Sequence, residues 1–371
     1  MAIVMRYISS ASVVTTSLVS VTTVRWEAFD MPARWYHGGA SEGRVHLLPR
    51  RRSPDPDRVA YRAGGTPMEY AIQIVAPYEE LSAAAHFSEA RGLPALAVPD
   101  HYLYGHDPAQ AATRPAPDVF VQLGALARET TDLELVLLVS PVTFRHPAVL
   151  LKMGIELDLL SGGRFTLGLG TGWMEAEHEV FGFPFPPLAE RFEMLEEALA
   201  YIRAGLADPP TGFEGRHFRL LPWPIRPRAR RLRLLVGGIG PRRTPSIAGR
   251  YADEFNAFHG PGLADRIAVA RAAAVEAGRD PDALLVSSVT WVVAAPDRAD
   301  LERRLDRIAA RQGRRRDELD RLLEARRAIV GTFDEVRARL AELEALGVRR
   351  FYLQGGFDPE LTPELLDVLE G

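Results

Sequence analysis

From Met68 onward, short apolar runs alternate with longer stretches whose apolar residues recur every three or four positions. The first kind of run predicts strands and the second predicts helices. "YAIQIVA" at 70–76 reads as a strand, and "EELSAAAHFSEARGL" as a helix closed by Gly92. "ALAVPDHY" is a strand with polar residues at its end, "PDVFVQLGALARETT" a helix and "LELVLLVSP" a strand. "HPAVLLKMGIELDLLSGG" carries Pro147 in its first turn and glycines at its close, the usual marks of helix ends. "RFTLGLG" is the fourth strand. Helix 187–206 sets Leu188, Phe192, Leu195, Leu199, Ile202 and Leu206 on one stripe. Strands at "RLRLLVGG", "DEFNAF", "ALLVSSVTWVV" and "VRRFYLQGG" follow, with helices between them.

Eight strand–helix units imply a parallel sheet, and eight within this length imply a closed (β/α)8 TIM barrel. An open doubly wound sheet is the alternative, but it calls for a phosphate fingerprint. "GRFTLGLGTGW" is the nearest approach to one. Counted from Gly168, the third glycine of G-x-G-x-x-G would fall at 173, which is Trp173. No long helix follows directly. Insertions are expected at 207–230 and 297–330, the first rich in proline and the second in arginine.

Residues 1–67 break the pattern. They carry nine Arg against five Asp and Glu, a balance of +4, which leaves −8 for residues 68–371. Their Ser, Thr, Pro and Gly content reads as a disordered extension, or as an overrun upstream of a natural start at Met68. The apolar core that a secretory signal needs is interrupted. The chain has no cysteine, so disulfides, thiolate catalysis and zinc–thiolate sites are excluded. A net charge of −4 gives no argument for nucleic acid or membrane partners, and a cytoplasmic location is expected. No residue spacing matches a strong metal site; Glu175, Glu177 and His178 have ligand chemistry without ligand spacing, and a solvated or network role fits them better.

In such a barrel the chemistry lies at the C-terminal ends of the strands. Those ends carry Asp100 and His101, then Ser140, Pro141 and Thr143, then Gly170, Thr171, Gly172 and Trp173. Gly237, Gly238 and Gly240 follow strand five, Asn256 and His259 strand six, and Gln354 and Gly355 strand eight. In strand four, Phe165, Leu167 and Leu169 alternate with Thr166, Gly168 and Gly170, one bulky face and one nearly bare. The bare face beside Trp173, opposite an Asp–His pair, suggests room for a planar cofactor; the alternative is that the glycines only relieve crowding in the barrel core. His146, at a helix start, reads as a cap, and Gly331–Thr332 as another.

The motifs "AVPDHY", "SPVTFRHPAVLLKMGIELDLLSGGRFTLGLGTGWMEAEHEVFGFPFPPLAERFEMLEEAL" and "LLVGGIGPRRTPSIAGRYADEFN" resemble the bacterial luciferase-like superfamily, and within it the coenzyme F420-dependent oxidoreductases. The likeness spans about 68–356. It implies a TIM barrel that binds F420, or alternatively FMN, at the strand ends, acts on a small molecule, and is often a homodimer. By motif, Asp100 and His101 would border the ring and serve catalysis. Leu137, Leu138 and Ser140 would lie at a backbone bulge behind the ring, where the family often has a non-proline cis peptide. Gly170, Thr171 and Gly172 would follow strand four, and Gly237 and Gly238, with Gly240 near, would meet the cofactor phosphate. Trp173, read from its position alone, has two roles open to it, stacking on substrate or packing. F420-dependent sugar-phosphate dehydrogenases have a glutamate where this chain has Trp173, which counts against sugar-phosphate oxidation. Three functions compete: hydride transfer with F420, an FMN-dependent monooxygenase, and a non-catalytic flavin-binding protein. A neutral imidazole at His101 would suit proton transfer beside a ring.

Overall fold

A computed structural model describes residues 67–104, 108–355, 358 and 361–370. Apart from Pro67, the reading of residues 1–67 as an extension lies outside the described residues. Eleven strands occur among them: β1 (Glu69–Gln73), β2 (Ala95–Val98), β3 (Glu134–Pro141), β4 (Phe165–Gly170), β5 (Phe213–Glu214), β6 (Arg219–Leu220), β7 (Arg233–Gly238), β8 (Glu254–Ala257), β9 (Leu285–Ala295), β10 (Ile329–Thr332) and β11 (Arg350–Gln354). Eight of them pair in parallel in the order β1–β2–β3–β4–β7–β8–β9–β11, and β11 closes on β1. This is the closed TIM barrel that the alternation predicted.

Two small pieces were not read from the sequence. β5 and β6 form an antiparallel hairpin inside the first insertion. β10 lies outside the barrel, on the second half of β9, from Ile329 opposite Val292 to Thr332 opposite Ala295. Thr332 also caps the next helix, in a capping box with Glu335. The arginine-rich helices Arg298–Arg311 and Arg316–Ala325 close over β9 and β10 with a separate core that includes Ala295, Leu301, Leu305, Ala309, Leu319 and Leu323.

The helix ends follow the residues that encode them. Asp118 Oδ1 accepts from the amides of Phe120 and Val121, both at 3.0 Å. His146 Nδ1 accepts from the Ala148 amide at 3.1 Å, so it is a cap. Gly92 and Gly162 end their helices in the left-handed region that glycine takes most easily. On helix Leu188–Leu206, Leu195, Leu199 and Ile202 are buried, but Leu188 is exposed. The expected stripe therefore begins one turn late.

Inward positions on the barrel strands sort into layers. The middle is apolar and small: Ala71, Ala95, Ala97, Val136, Leu235 and Val289, with Tyr352. The bottom layer, at the strand starts, is charged. Glu134 pairs with Arg233 and, at 3.0 Å, with Arg350, and it accepts from Thr166 Oγ1 at 2.6 Å. Arg350 also reaches Glu69 at 3.1 Å, and the Tyr352 hydroxyl donates to Glu254 at 3.0 Å. Burial by itself would raise the Glu134 carboxyl; the Arg233 and Arg350 guanidiniums outweigh it and hold it at about 2. Burial pushes the neighbouring Glu254 carboxyl up. Charges plug the bottom of the barrel, and the open end is the other one.

Candidate active site

At the open end, β3 does not run straight. Its register against β4 jumps between Leu137 and Ser140, and the Leu138–Val139 peptide is cis. A bulge at this position is what the resemblance implied. Gln73, the last residue of β1, donates its Nε2 to the Leu138 carbonyl at 3.0 Å; its Oε1 is buried with no hydrogen-bond partner.

The bulge changes the meaning of the glycines. A Cβ on Gly168 would stand 2.0 Å from the Leu137 carbonyl oxygen. One on Gly170 would stand 2.9 Å from Val139 Cγ2, and one on Gly237 3.0 Å from Val139 Cγ1. The bare face of strand four is thus occupied from within, by the Val139 side chain and the displaced β3 backbone. The expectation that it leaves space for a cofactor is corrected here: these glycines seat the bulge. Gly168→Ala is expected to lower the melting temperature sharply, by the equivalent of about 3 kcal/mol, because the obstacle is backbone and cannot rotate away. An unchanged melting curve would show that β3 can retreat.

Asp100 lies just past β2 and is buried. It accepts from Ser140 Oγ at 2.7 Å and pairs with Arg145. Burial pushes its carboxyl up, and Arg145 and Ser140 pull against that. The Arg145 guanidinium also sits over the Phe120 ring at 4.6 Å and the Tyr102 ring at 5.3 Å, so it is fixed on all sides. Asp100 therefore anchors the β2 end to the bulge, and its neighbour His101 points elsewhere.

His101 is held by Glu177. Its Nδ1 lies 3.2 Å from both carboxylate oxygens, and Glu177 Oε1 also accepts from the amides of Tyr102 at 2.6 Å and Leu103 at 3.0 Å. A carboxylate only accepts, so Nδ1 carries the proton and Nε2 is the ring nitrogen left for chemistry. Glu177 is 1% exposed, on helix Glu175–Phe181 after the strand-four turn. Next to it, His178 bridges the Met174 carbonyl and Thr143 Oγ1, at 2.9 and 2.7 Å. Glu177 and His178 are thus network residues that bind the β2, β3 and β4 ends together. Arg191 ties down the strand-four turn by donating to the carbonyls of Thr171, at 3.2 Å, and Gly172, at 2.6 Å. Gly172 has φ of 75°, a left-handed turn against Pro141. Trp173 follows it and is 60% exposed.

Beside the β4 end, Gly237 and Gly238 close β7, which pairs with β4, and the turn through Gly240 leads into helix Arg243–Tyr251. No side chain caps that helix, its first turn holds no acid, and Arg242 and Arg243 are exposed there. The amides of that first turn are the group an anion would meet. Gly238 and Gly240 also have an internal reason to be glycine, since a Cβ on either would press on Thr244. Asn256 is turned inward, donating to Ser287 Oγ at 2.9 Å. His259 Nε2 donates to the Arg327 carbonyl at 2.5 Å, and burial, with Arg339, Arg327 and Arg266 near, lowers its pKa. A cavity of about 480 Å³ opens beside it, between Arg327 and Arg339. A second, of about 580 Å³, lies at the opposite end of the barrel among Arg203, Arg231 and Arg233, away from the residues just described. No helix among the described residues is long and apolar enough to cross a membrane.

The sequence-predicted residues therefore separate into two groups. Asp100, His101, Leu138, Ser140, Thr171, Gly172 and Trp173 lie along the ends of β2, β3 and β4; Gly237, Gly238 and Gly240 form the next stretch of rim, at the end of β7. Leu137 belongs to the core and has no access to the mouth. Glu177, Arg145, Gln73 and Arg191 were not singled out as site residues from the sequence.

Residues 58–350 match the model of the luciferase-like monooxygenases. The chain belongs to that family. Among its relatives, an F420-dependent glucose-6-phosphate dehydrogenase of Microbacterium testaceum is 31% identical over 45% of this chain and 49% of its own length. A pyrimidine monooxygenase, RutA, of Pseudomonas savastanoi is 28% identical over 48% and 50%. The chain spans about half the length of the curated relatives it matches. An F420-dependent secondary alcohol dehydrogenase, solved with an F420–acetone adduct, superposes with a TM-score of 0.67 over 82% of this chain and 99% of its own. At 19% identity, that likeness describes the fold. In this luciferase-like chain the third strand is bulged and the second ends in Asp100 and His101.

Proposed function

We propose that this luciferase-like protein moves a hydride between coenzyme F420 and a small organic substrate, with His101 handling the proton. The observation that carries this reading is the Glu177–His101 pair. A buried carboxylate fixes one ring nitrogen and leaves Nε2 at the barrel mouth, where a reacting oxygen can meet it. A reduced deazaflavin, when bound, supplies a hydride from a ring carbon.

The other residues bind and orient. The bulge at Leu138–Val139 gives a ring a backbone surface to rest on, held from below by Gln73. The orphaned Gln73 Oε1 fits an N–H donor on the edge of such a ring. The uncapped start of helix Arg243–Tyr251, with Arg242 and Arg243, fits a phosphate. His101, with Nδ1–H fixed by Glu177, acts through Nε2: as the imidazolium it gives the Nε2 proton to a substrate oxygen that becomes negative, and as the neutral ring it takes one in the reverse direction. Several relatives are named as F420-dependent dehydrogenases, which favours F420 over FMN.

The deciding experiment is a pair of calorimetric titrations of the full chain, one with F420 and one with FMN. F420 is expected to bind in the micromolar range or tighter, and FMN at least tenfold more weakly. Tight FMN binding with none for F420 would turn the reading toward an oxygen-activating monooxygenase.

A further inference from the structure

The wall around His101 is made of aromatic rings. Trp173 meets the imidazole edge-on at 5.9 Å between centroids, and Tyr104 does so at 6.3 Å. Behind them, Tyr102 packs on Phe144, Phe181 and Phe183. Trp173 and Phe181 expose much of their surface, 60% and 49%, although large apolar side chains gain by being covered.

The carboxylates of Glu177 and Asp100 on the same wall are already used, and the Arg114 guanidinium near it lies over the Tyr104 ring at 5.9 Å. Glu177 accepts three N–H groups, and Asp100 is taken up by Ser140 and Arg145. A polyhydroxylated substrate needs acceptors that can be matched one by one, and a site without them binds it poorly. A flat apolar body needs ring faces and one polar partner, which is what Trp173, Tyr104 and His101 Nε2 provide.

We propose that the substrate is a flat, largely apolar carbonyl compound, an aromatic or fused-ring ketone or the corresponding alcohol, held against Trp173 and Tyr104 with its oxygen at His101. This rests on the hydride-transfer reading, and Trp173 is the residue that sets the preference. In the reducing direction, a bound reduced deazaflavin would supply the hydride that forms the C–H bond at the carbonyl carbon. The C=O π pair moves to oxygen, and that oxygen takes the Nε2 proton of His101, which starts as the imidazolium and is left neutral with its remaining proton on Nδ1. The substrate gains two electrons and two hydrogens, and the cofactor is left oxidised by two electrons.

The test reads binding and needs no turnover. The full chain is loaded with oxidised F420 and titrated with 2-acetylnaphthalene, acetone and glucose 6-phosphate. The naphthyl ketone is expected to bind at least tenfold more tightly than either of the others. Trp173→Ala should weaken it about threefold to tenfold, and Trp173→Phe should keep most of the affinity. Neither change should alter F420 affinity, since Trp173 is on the exposed wall. If F420 binds and glucose 6-phosphate outcompetes the ketone, or the alanine variant binds the ketone as the parent does, the substrate class is wrong and the hydride-transfer reading stands. If F420 does not bind at all, both fall together.

Discussion

Replacing Glu134 by glutamine is expected to destabilise the fold by about 3–5 kcal/mol, because it strips Arg233 of its counter-charge and leaves Arg350 with only Glu69 and Glu254. Glu134 is the shared counter-charge of Arg233 and Arg350 at the closed end of the barrel, and all three side chains are largely out of water. Removing one member of a buried ion pair costs far more than the pair contributes, since the remaining charge keeps its desolvation penalty. The same carboxylate sets an acid limit. Its pKa falls from an ordinary 4.5 to about 2 on folding. The unfolded chain therefore binds the proton first. The stabilisation is complete above about pH 4.5 and is lost as pH falls toward about 2. Burial pushes Glu254 the other way, so the total slope mixes two signs. Urea unfolding of parent and Glu134→Gln at pH 7 and at pH 3.5 separates them. The parent should lose stability between the two, and the variant should lose less. Equal stability at pH 7 would mean that the arginines find other partners.

His101→Ala should lower turnover of a bound ketone by about 10²–10⁴-fold, the usual effect of removing a positioned proton donor. F420 affinity should survive, because the phosphate end of the mouth is built from other strands. Glu177→Gln is the finer instrument. A carboxamide fills the same space but can turn its NH2 toward His101, which removes the preference for a proton on Nδ1. Turnover is then expected to fall about 10- to 100-fold, as for other groups that orient a functional histidine. Parental turnover in Glu177→Gln would make Glu177 a purely architectural residue. Normal turnover in the alanine variant would remove His101 from the chemistry.

The barrel was legible because period-two and period-3.6 patterns are local properties of the chain. The strand-end residues followed from it, since the fold dictates which end is functional. The glycines were legible as a bare face, and the reason was not. What fills the face is Val139, brought in by a register jump about thirty residues away in sequence. Glu177 was hidden for a similar reason. In "MEAEHEVF" it is one of three acids on a short helix, and only its 76-residue reach to His101 distinguishes it. The charged plug did leave a trace: Glu69, Glu134, Arg233, Glu254 and Arg350 each open a strand. Charges at inward positions of a barrel must find each other, but a sequence does not say which pairs will meet. β10 and the β5–β6 hairpin were too short to show a period.

β9 is long enough to serve two structures in turn. Its first half is a stave of the barrel, between β8 and β11, and from Val292 on it carries β10 and the small helical core beside it. The junction between them is one continuous strand, with Trp291 as the last residue paired to β11. A satellite joined in this way has its own packing and a rigid graft point. Lineages can therefore lengthen, shorten or exchange it between Val292 and Phe333 while the eight staves keep their register. The graft point lies on the C-terminal rim of the barrel, so a change in the satellite alters that rim and leaves the charged plug at the other end untouched.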